Sequence, residues 1–234
     1  MTEVAGTVER IWRYPVKSLG GERLAQVEVD ERGLAGDRWF AVRDAEGRFG
    51  SGKTTRRFRL MPGLLGLRAR YADGVPEVLD PDGLPVPDAI RYLREHLGRD
   101  DVCLAAEGAV SHFDELAVSV LTTATLDWVR SVVPGVAVDE RRFRPNLLVR
   151  TPPGAPPFTE DGWLGREATV GARARLAFVR LSTRCVMVGE AQPGLEHSPL
   201  VLRAIARSRD NELGALATVV RPGPVRTGDV LRLD

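Results

Sequence analysis

Short runs of alternating apolar and polar residues occupy most of the first third of this chain, and few of them have helical spacing. Such runs are typical of strands with one buried face. Turn signals separate them, the clearest being Asp44-Ala45-Glu46-Gly47 and Asp73-Gly74, where glycine can adopt a positive φ. The first eighty residues are therefore predicted to be almost wholly β. The predicted strands are 4–14, 24–29, 39–43, 64–71 and 75–79.

Helical patterns and further strands follow. Asp88 can cap a helix that ends at Gly98, and Thr122 or Thr123 can cap a second helix. A third is predicted from Leu200 to Ser208, after Ser198-Pro199. Further strands are expected in residues 139–150, around 176–188, and at 216–220 and 230–233. Many short strands with few helices predict a mainly β fold built of β-barrels, with the stretch near 88–98 as the divide between two subdomains.

The overall charge of the chain excludes some partners. A formal net charge of +1 and a pI near 7.9, without a long basic block, give no case for binding nucleic acid or an anionic membrane. The first residues lack the apolar core of a signal peptide, and no run of about 18 apolar residues occurs. We therefore expect a cytoplasmic protein that binds neither nucleic acid nor membrane, and any anion site must be local.

The two cysteines, Cys103 and Cys185, lie 82 positions apart without a C-x-x-C spacing. This excludes a cysteine-rich zinc or iron–sulfur site carried by this chain alone, and a reducing cytoplasm disfavours a disulfide. Cys185 follows the alternating residues Leu176, Phe178 and Leu181, and Arg184 next to it favours the thiolate. A thiolate binds soft metals or attacks electrophiles. The alternative is that Cys185 is a small buried apolar residue.

Cations stand beside turns in four stretches of the chain. The stretches are Tyr14-Pro15-Val16-Lys17-Ser18, Gly36-Asp37-Arg38-Trp39-Phe40, Phe143-Arg144-Pro145-Asn146 and Thr183-Arg184-Cys185. Lys17 is one of only two lysines among 33 basic residues, so a compact ammonium is the exception in this chain. Together the stretches predict a pocket for an anionic, metal-bearing ligand. Lys17, Arg38 and Arg144 would face its phosphate and polar groups, and Cys185 its metal.

A competing motif lies at residues 47–54, which read Gly-Arg-Phe-Gly-Ser-Gly-Lys-Thr and satisfy the P-loop pattern. A P-loop requires a buried parallel strand before it and a long helix after it. Here the first glycine sits in a predicted hairpin turn, and Pro62 follows Lys53 within nine positions. A P-loop nucleotide binder is therefore only a distant alternative. The three histidines, His96, His112 and His197, have no metal-ligand spacing either.

The four cation-bearing stretches, taken together, resemble the MOSC family, named for the molybdenum cofactor sulfurase C-terminal domain. The resemblance is to members with an N-terminal β-barrel domain, including the mitochondrial amidoxime-reducing component and its bacterial relatives. It extends through Arg142-Phe143-Arg144-Pro145-Asn146 and Thr183-Arg184-Cys185 to Gly228-Asp229-Val230. It implies a MOSC N-terminal β-barrel domain over residues 1–100 and a MOSC β-barrel domain over 101–234.

The resemblance also implies a cofactor and a set of site residues. Cys185 would be the protein ligand of molybdenum in a molybdopterin cofactor, and so the central residue of catalysis. Thr122 and Thr123 match relatives by the position of a helix start more than by their letters. The residues implied to hold the cofactor are Lys17, Ser18, Arg38, Thr122, Thr123, Arg144, Asn146, Thr183 and Arg184.

Relatives of this kind reduce N-hydroxylated compounds such as amidoximes and hydroxylamines. The resemblance therefore implies a molybdenum-dependent oxidoreductase with a small N-hydroxylated substrate. No cysteine-rich ferredoxin tail is present in this sequence, so we expect a separate electron donor, a ferredoxin, flavin or haem protein. Val188-Gly189-Glu190 departs from the threonines of relatives, which affects substrate contacts more than metal binding. The alternative is a carrier of cofactor or sulfur that performs no reductive turnover.

Overall fold

The structure is a computed structural model that describes residues 3–234, and within them strands predominate over three α-helices. The helices are α1 (Ala89–Leu97), α2 (Thr123–Val132) and α3 (Leu200–Arg209). The strands are β1 (Glu3–Arg13), β2 (Val16–Lys17), β3 (Glu22–Leu24), β4 (Gln26–Asp30), β5 (Gly33–Leu34), β6 (Phe40–Arg43), β7 (Phe49–Ser51), β8 (Phe58–Leu60), β9 (Arg68–Ala72), β10 (Val75–Leu79), β11 (Cys103–Ala106), β12 (Val118–Thr122), β13 (Leu147–Arg150), β14 (Glu167–Val170), β15 (Ala174–Thr183), β16 (Glu212–Arg221), β17 (Gly223–Arg226) and β18 (Val230–Leu233). Short 3-10 helices cover Leu64–Gly66, Glu140–Arg142, Thr159–Trp163 and Val186–Gly189.

Seven strands form a closed barrel in the order β13-β12-β16-β15-β14-β18-β1, because β1 also pairs with β13. All neighbours are antiparallel except β12 and β13, which run parallel. Closure brings β1 very near β13, since a Cβ on Gly6 would lie 2.5 Å from the carbonyl oxygen of Arg150. Residues such as Val8, Phe178 and Leu231 fill the interior. The predicted mainly β fold is therefore confirmed.

A smaller body lies between β1 and β12 in the sequence. Its largest sheet runs β11-β6-β7-β8, with β2 added parallel to β6, and a hairpin of β9 and β10 stands beside it. Leu93 of α1 packs into its own core with Val42 and Leu67. The first strand of the chain thus belongs to the barrel, whereas β11 belongs to the smaller body. The predicted domain boundary after residue 100 stays a prediction.

Local sequence signals account for the helix ends. The Asp88 carboxylate accepts a hydrogen bond from the Arg91 amide, and Gly98 ends α1 in the left-handed conformation. Thr122 caps α2 through its side chain. In α3 the outcome differs from the prediction, because Pro199 holds the cap position and no side chain caps the helix.

Several predicted strand limits were wrong. Residues 24–29 are interrupted between β3 and β4, and the predicted strand 64–71 begins as the 3-10 helix Leu64–Gly66. In that segment Leu64 and Leu65 are buried on one short turn, and Gly63 starts it with a positive φ of 92°. An unbroken apolar run could not distinguish this turn from a buried strand.

Candidate functional site

A cleft between the barrel and the smaller body brings together eight of the ten predicted site residues. β2 contributes Lys17, β15 ends at Thr183, and Arg184 and Cys185 follow directly. Other parts of the wall come from Lys53, residues 113–116, Ser119, residues 142–144 and Met187. The predicted residues that line the cleft are Lys17, Ser18, Arg38, Arg144, Asn146, Thr183, Arg184 and Cys185.

The buried ring of Tyr14 lies close to two guanidinium groups of the cleft. The Arg144 guanidinium carbon is 4.2 Å from the ring centroid of Tyr14, and that of Arg38 is 5.0 Å away. Arg144 also donates to the Leu19 carbonyl at 2.5 Å, and Arg38 pairs with the buried carboxylate of Asp37. The two cations are thus held by an aromatic ring and by fixed acceptors, which sets their positions in the cleft.

Three of the cleft residues have a left-handed backbone: Ser18, Arg38 and Arg144, with φ of 66°, 54° and 52°. This conformation is uncommon outside glycine and costs about 1–2 kcal/mol. Pro145 does not explain the positive φ of Arg144, because a following proline favours extended backbone with negative φ. Such outliers concentrate at functional sites.

Lys17 is almost completely buried, with 5% of its surface exposed. Its Nζ donates to the His112 carbonyl at 2.6 Å and to Asp114 Oδ1 at 2.8 Å, and it lies 5.4 Å from the ring centroid of Phe58. Burial lowers the pKa of Lys17 to about 8, and the charge of Asp114 opposes that shift. Lys17 therefore remains mainly protonated at neutral pH and ties residues 112–114 to the smaller body.

Arg184 is fixed beside Cys185 by backbone acceptors. Its Nε donates to the Leu213 carbonyl at 2.7 Å and its Nη1 to the Phe143 carbonyl at 2.8 Å. Burial lowers the pKa of Arg184 to about 10, and negative charge on Cys185 opposes that shift. Gly214 leaves room for this guanidinium, since a Cβ there would lie 2.9 Å from Arg184 Nη2.

Cys185 is partly buried and starts the 3-10 helix Val186–Gly189, with no side-chain cap bond. It is a free thiol, as is the exposed Cys103. Partial burial fits the alternative of a small buried apolar residue poorly, and Cys185 lines the cleft together with the cations.

Arg142 was not among the predicted site residues, although it also lines the cleft. Only 1% of its surface is exposed, and its guanidinium donates to the carbonyls of Ala137 at 2.9 Å and Glu196 at 2.7 Å. Longer contacts reach the carbonyls of Val188 at 3.3 Å and Glu190 at 3.4 Å. Arg142 thus fastens the segment that follows Cys185. The sequence feature that could have identified Arg142 is its position in the basic run 139–144.

Thr122 and Thr123 do not line the cleft. Thr122 is fully buried and donates to Glu160 Oε2 at 2.7 Å, while Thr123 Oγ1 lies 3.2 Å from Thr151 Oγ1. Their hydroxyls are used within the protein, at the start of α2. Their expected cofactor contact stays a prediction that this geometry does not support.

Asn146 lines the cleft but also connects strands. Its Oδ1 accepts from the Ser119 amide at 3.0 Å, and its Nδ2 donates to the Trp12 carbonyl at 3.3 Å. These bonds link the starts of β12 and β13 to the end of β1. Asn146 therefore shapes the cleft wall, and both ends of its amide are already bonded.

The P-loop pattern at 47–54 does not form a P-loop. Its middle residues form β7, which pairs in parallel with β8, and residues 52–57 between the two strands contain no helix. The nucleotide-binding alternative is therefore wrong, since no helix N-terminus is available to a phosphate. Lys53 nevertheless lines the cleft, with its Nζ 4.7 Å from the ring centroid of Phe58.

The charges and donors of the cleft suit an anionic ligand rich in acceptors. Six cationic side chains line it against two carboxylates, Asp114 and Glu115. Within residues 3–234, Arg184 Nη2 and Ser119 Oγ are buried without a hydrogen-bond partner. Eleven other buried side-chain atoms of the described residues also lack a partner, so these two donors point to a ligand only in combination with the cations and the thiol of the same cleft. These two groups fit the acceptor-rich phosphate and pterin of the molybdenum cofactor, and Cys185 fits its metal.

A metal held by protein side chains alone has no counterpart in the part of the chain that the structure describes, where no three His, Cys, Asp or Glu residues cluster. A metal on Cys185 would therefore need further donors from a non-protein group. Among residues 3–234, no helix is long and apolar enough to cross a lipid bilayer.

Comparison with protein families gave two matches that together span most of the chain. Residues 95–232 match the family model of the MOSC domain, and residues 5–117 match that of the MOSC N-terminal beta barrel domain. A search of curated proteins gave no match.

Two solved structures are similar to this chain. The crystal structure of the YuaD protein from Bacillus subtilis is 15% identical, with a TM-score of 0.53, and the match covers 100% of this chain and 96% of that chain. The crystal structure of YiiM from Geobacillus stearothermophilus is 19% identical, with a TM-score of 0.39, over 50% of this chain and 54% of that chain. The likeness to YuaD supports the fold alone.

Proposed function

We propose that this protein, which belongs to the MOSC family, binds the molybdenum cofactor through Cys185 and reduces N-hydroxylated compounds. Membership is consistent with a function associated with the molybdenum cofactor. The observation that supports the finer proposal is the convergence of a free thiol, fixed cations and two unpaired buried donors on one cleft.

Each group in the cleft has a distinct part in this proposal. The Cys185 sulfur binds the metal, and Arg184 Nη2 and Ser119 Oγ donate to acceptor atoms of the cofactor. Arg38 and Arg144, fixed on the Tyr14 ring, set the orientation of the anionic part. The cofactor, when bound, supplies the oxygen-atom and two-electron chemistry that these side chains lack.

Binding a group of that size requires the cleft to widen. Its volume is about 140 Å³, whereas small-molecule sites usually measure about 300–1,000 Å³. Asp114 and Lys17 form an ion pair at the wall of the cleft, and the Asp114 side chain is 61% exposed. We therefore expect Asp114 to release Lys17, whose ammonium then faces the incoming anion.

The overall reaction balances with a separate electron donor. For an amidoxime, the N–O bond breaks, two protons are taken up, and the oxygen leaves as water. The nitrogen product is an amidine, and the two electrons come from a ferredoxin, flavin or haem protein.

Molybdenum content is the decisive measurement. The full chain, purified from a host that makes molybdopterin, should contain close to one molybdenum atom per chain. Cys185→Ala should remove it, whereas Cys103→Ala should retain it, because Cys103 is exposed on β11 and does not line the cleft. The loaded protein should reduce benzamidoxime with a chemically reduced dye. Wild-type protein that contains no molybdenum from such a host would refute the proposal.

The carrier alternative predicts a different result in the same preparation. Protein that contains molybdenum or a persulfide on Cys185, yet never reduces an amidoxime with dye or protein donors, would be a carrier. A persulfide on Cys185 is detected by the mass of the intact chain, so the two outcomes are separable.

A further inference from the structure

The two lysines of this chain lie beside the same aromatic ring. Lys53 Nζ is 4.7 Å and Lys17 Nζ is 5.4 Å from the ring centroid of Phe58, so the two ammonium groups lie no more than about 10 Å apart. Both side chains line the cleft. The other basic residues of the chain are all arginines. A compact ammonium is thus used only where these two side chains meet.

Lys53 offers a cation that the protein itself does not neutralise. The side-chain bonds that a lysine forms within residues 3–234 all belong to Lys17, and no acidic residue occurs between Glu46 and Asp73. The backbone around Lys53 is nevertheless held on both sides. The Gly52 amide donates to the Met187 sulfur at 3.2 Å, and Arg57 Nη2 donates to the Phe113 carbonyl at 2.8 Å. A fixed backbone therefore presents an unpaired ammonium to the cleft.

The carboxylate of Asp114 shows where an anion is stabilised in this part of the cleft. Its Oδ1 accepts from Lys17 Nζ at 2.8 Å. Desolvation alone would raise the pKa of this carboxyl, but the positive charges of Lys17, Lys53 and Arg38 lower it. Because the Asp114 side chain is 61% exposed, it can turn into water and leave this position to another anion.

Two ammonium groups suit a phosphate monoester. Such a group carries a charge of about −1.5 to −2 at neutral pH and has three terminal oxygens, so it can pair with two separate cations. Lysine binds phosphate as a compact point charge, whereas arginine is favoured where two parallel N–H bonds are needed. A single carboxylate, such as that of Asp114, brings only one charge and leaves the second ammonium without a partner.

We propose that Lys17 and Lys53 form a two-lysine clamp for a phosphate monoester, which displaces Asp114 from Lys17. This inference rests on the proposed function and adds Lys53 to the residues that bind the cofactor. It also gives the ligand a direction in the cleft. The phosphate end lies at the smaller body, to which both lysines belong, and the metal end lies at Cys185 on the barrel.

Inorganic phosphate tests the clamp in the full chain, purified from a host that makes no molybdopterin. Because the chain has only two lysines, carbon-13 at the lysine Cε positions gives one NMR signal from each. Lys53→Arg removes one signal and so assigns both. Titration with phosphate at neutral pH should shift the two signals with the same midpoint, and calorimetry should show one phosphate bound per chain.

Lys53→Met should weaken phosphate binding about tenfold, since one charge-assisted hydrogen bond is lost. Arg56→Met is the matched control, because it removes the same charge from an exposed residue of the same segment that does not line the cleft. The control should change the affinity by less than about twofold. Neither change removes an ion pair within residues 3–234, so both variants should keep the unfolding midpoint of wild type.

A shift of the Lys17 signal alone, or equal affinity of wild type and Lys53→Met, would overturn the clamp. So would the absence of saturable binding to wild type, or an equal loss in Arg56→Met, which would trace the effect to net charge. The molybdenum measurement is separate. Protein with molybdenum on Cys185 and phosphate binding independent of Lys53 refutes the clamp alone. Protein that binds phosphate through Lys53 but never contains molybdenum refutes the proposed function and leaves a phosphate site.

Discussion

Replacing Arg142 with methionine should destabilise the protein although Arg142 forms no ion pair within residues 3–234. Methionine has an unbranched side chain that can fill much of the same space, so packing is largely retained. The change removes the donors from the carbonyls of Ala137 and Glu196, which Arg142 reaches at 2.9 and 2.7 Å. These carbonyls then lack a protein donor at a site where Arg142 is 1% exposed.

The two short hydrogen bonds of Arg142 determine how much unfolding free energy the substitution should remove. Both carbonyls belong to exposed residues, Ala137 and Glu196, so water can reach them in part, and the net loss is about 1–1.5 kcal/mol for each bond, or about 2–3 kcal/mol for the pair. The contacts at 3.3 and 3.4 Å add little. Burial lowers the pKa of Arg142, and removing that buried charge offsets part of the loss. We therefore expect the free energy of unfolding to fall by about 2 kcal/mol.

Urea unfolding, followed by circular dichroism, measures this loss. Arg91→Met is the control, because Arg91 is exposed and its pair with Glu95 lies within one helix turn. That change should alter the free energy of unfolding by less than about 0.5 kcal/mol. A loss below about 1 kcal/mol for Arg142→Met would refute the reasoning, since water or other donors would then satisfy the carbonyls.

Two further predictions concern pH. Burial lowers the pKa of His112 to about 4, and the Arg43 guanidinium, 2.8 Å from Nε2, acts in the same direction. The free energy of unfolding should thus fall by up to about 3 kcal/mol as the pH drops from 6.5 to 4, because only the unfolded chain binds that proton. Urea midpoints at pH 7.5 and 4.5 measure this fall, and His112→Asn should reduce it; an identical fall in the variant would contradict the assignment. Burial also lowers the pKa of Lys17 to about 8, opposed by Asp114. Between pH 8 and 10.5 the folded protein releases a proton that the unfolded chain retains, so stability should rise by up to about 3 kcal/mol relative to Lys17→Met. Parallel profiles for wild type and Lys17→Met, again from urea unfolding, would show that Lys17 does not titrate in this range.

The parts of the fold that were predictable from the sequence have local causes. Asp88 and Gly98 mark the ends of α1 because capping involves only neighbouring residues. Strand β17 is not among the predicted strands, and Pro224 stands within it. It pairs with β4, about two hundred positions earlier. The alternating residues of β4 fall within the predicted strand 24–29, whereas the four residues of β17 are too few, with a proline among them, to show such a pattern.

The site was predictable where chemistry and turns coincide. Lys17, Arg38, Arg144 and Cys185 carry the charge or sulfur that the ligand would need, and each stands next to a turn, so their convergence on one cleft could be expected. The structural role of Arg142 could not be predicted, because its partners are backbone carbonyls that carry no sequence signal.

The place of β1 in the ladder affects how the chain assembles. Glu3 pairs with Leu233, and Ile11 pairs with Leu147, so β1 has no barrel neighbour until far later parts of the chain emerge. Contacts of such long sequence separation form slowly. Within residues 3–234, the only early partner of β1 is β3, which pairs with Ile11, Trp12 and Arg13. The rest of β1 therefore waits for the end of the chain, and the smaller body can fold well before the barrel closes.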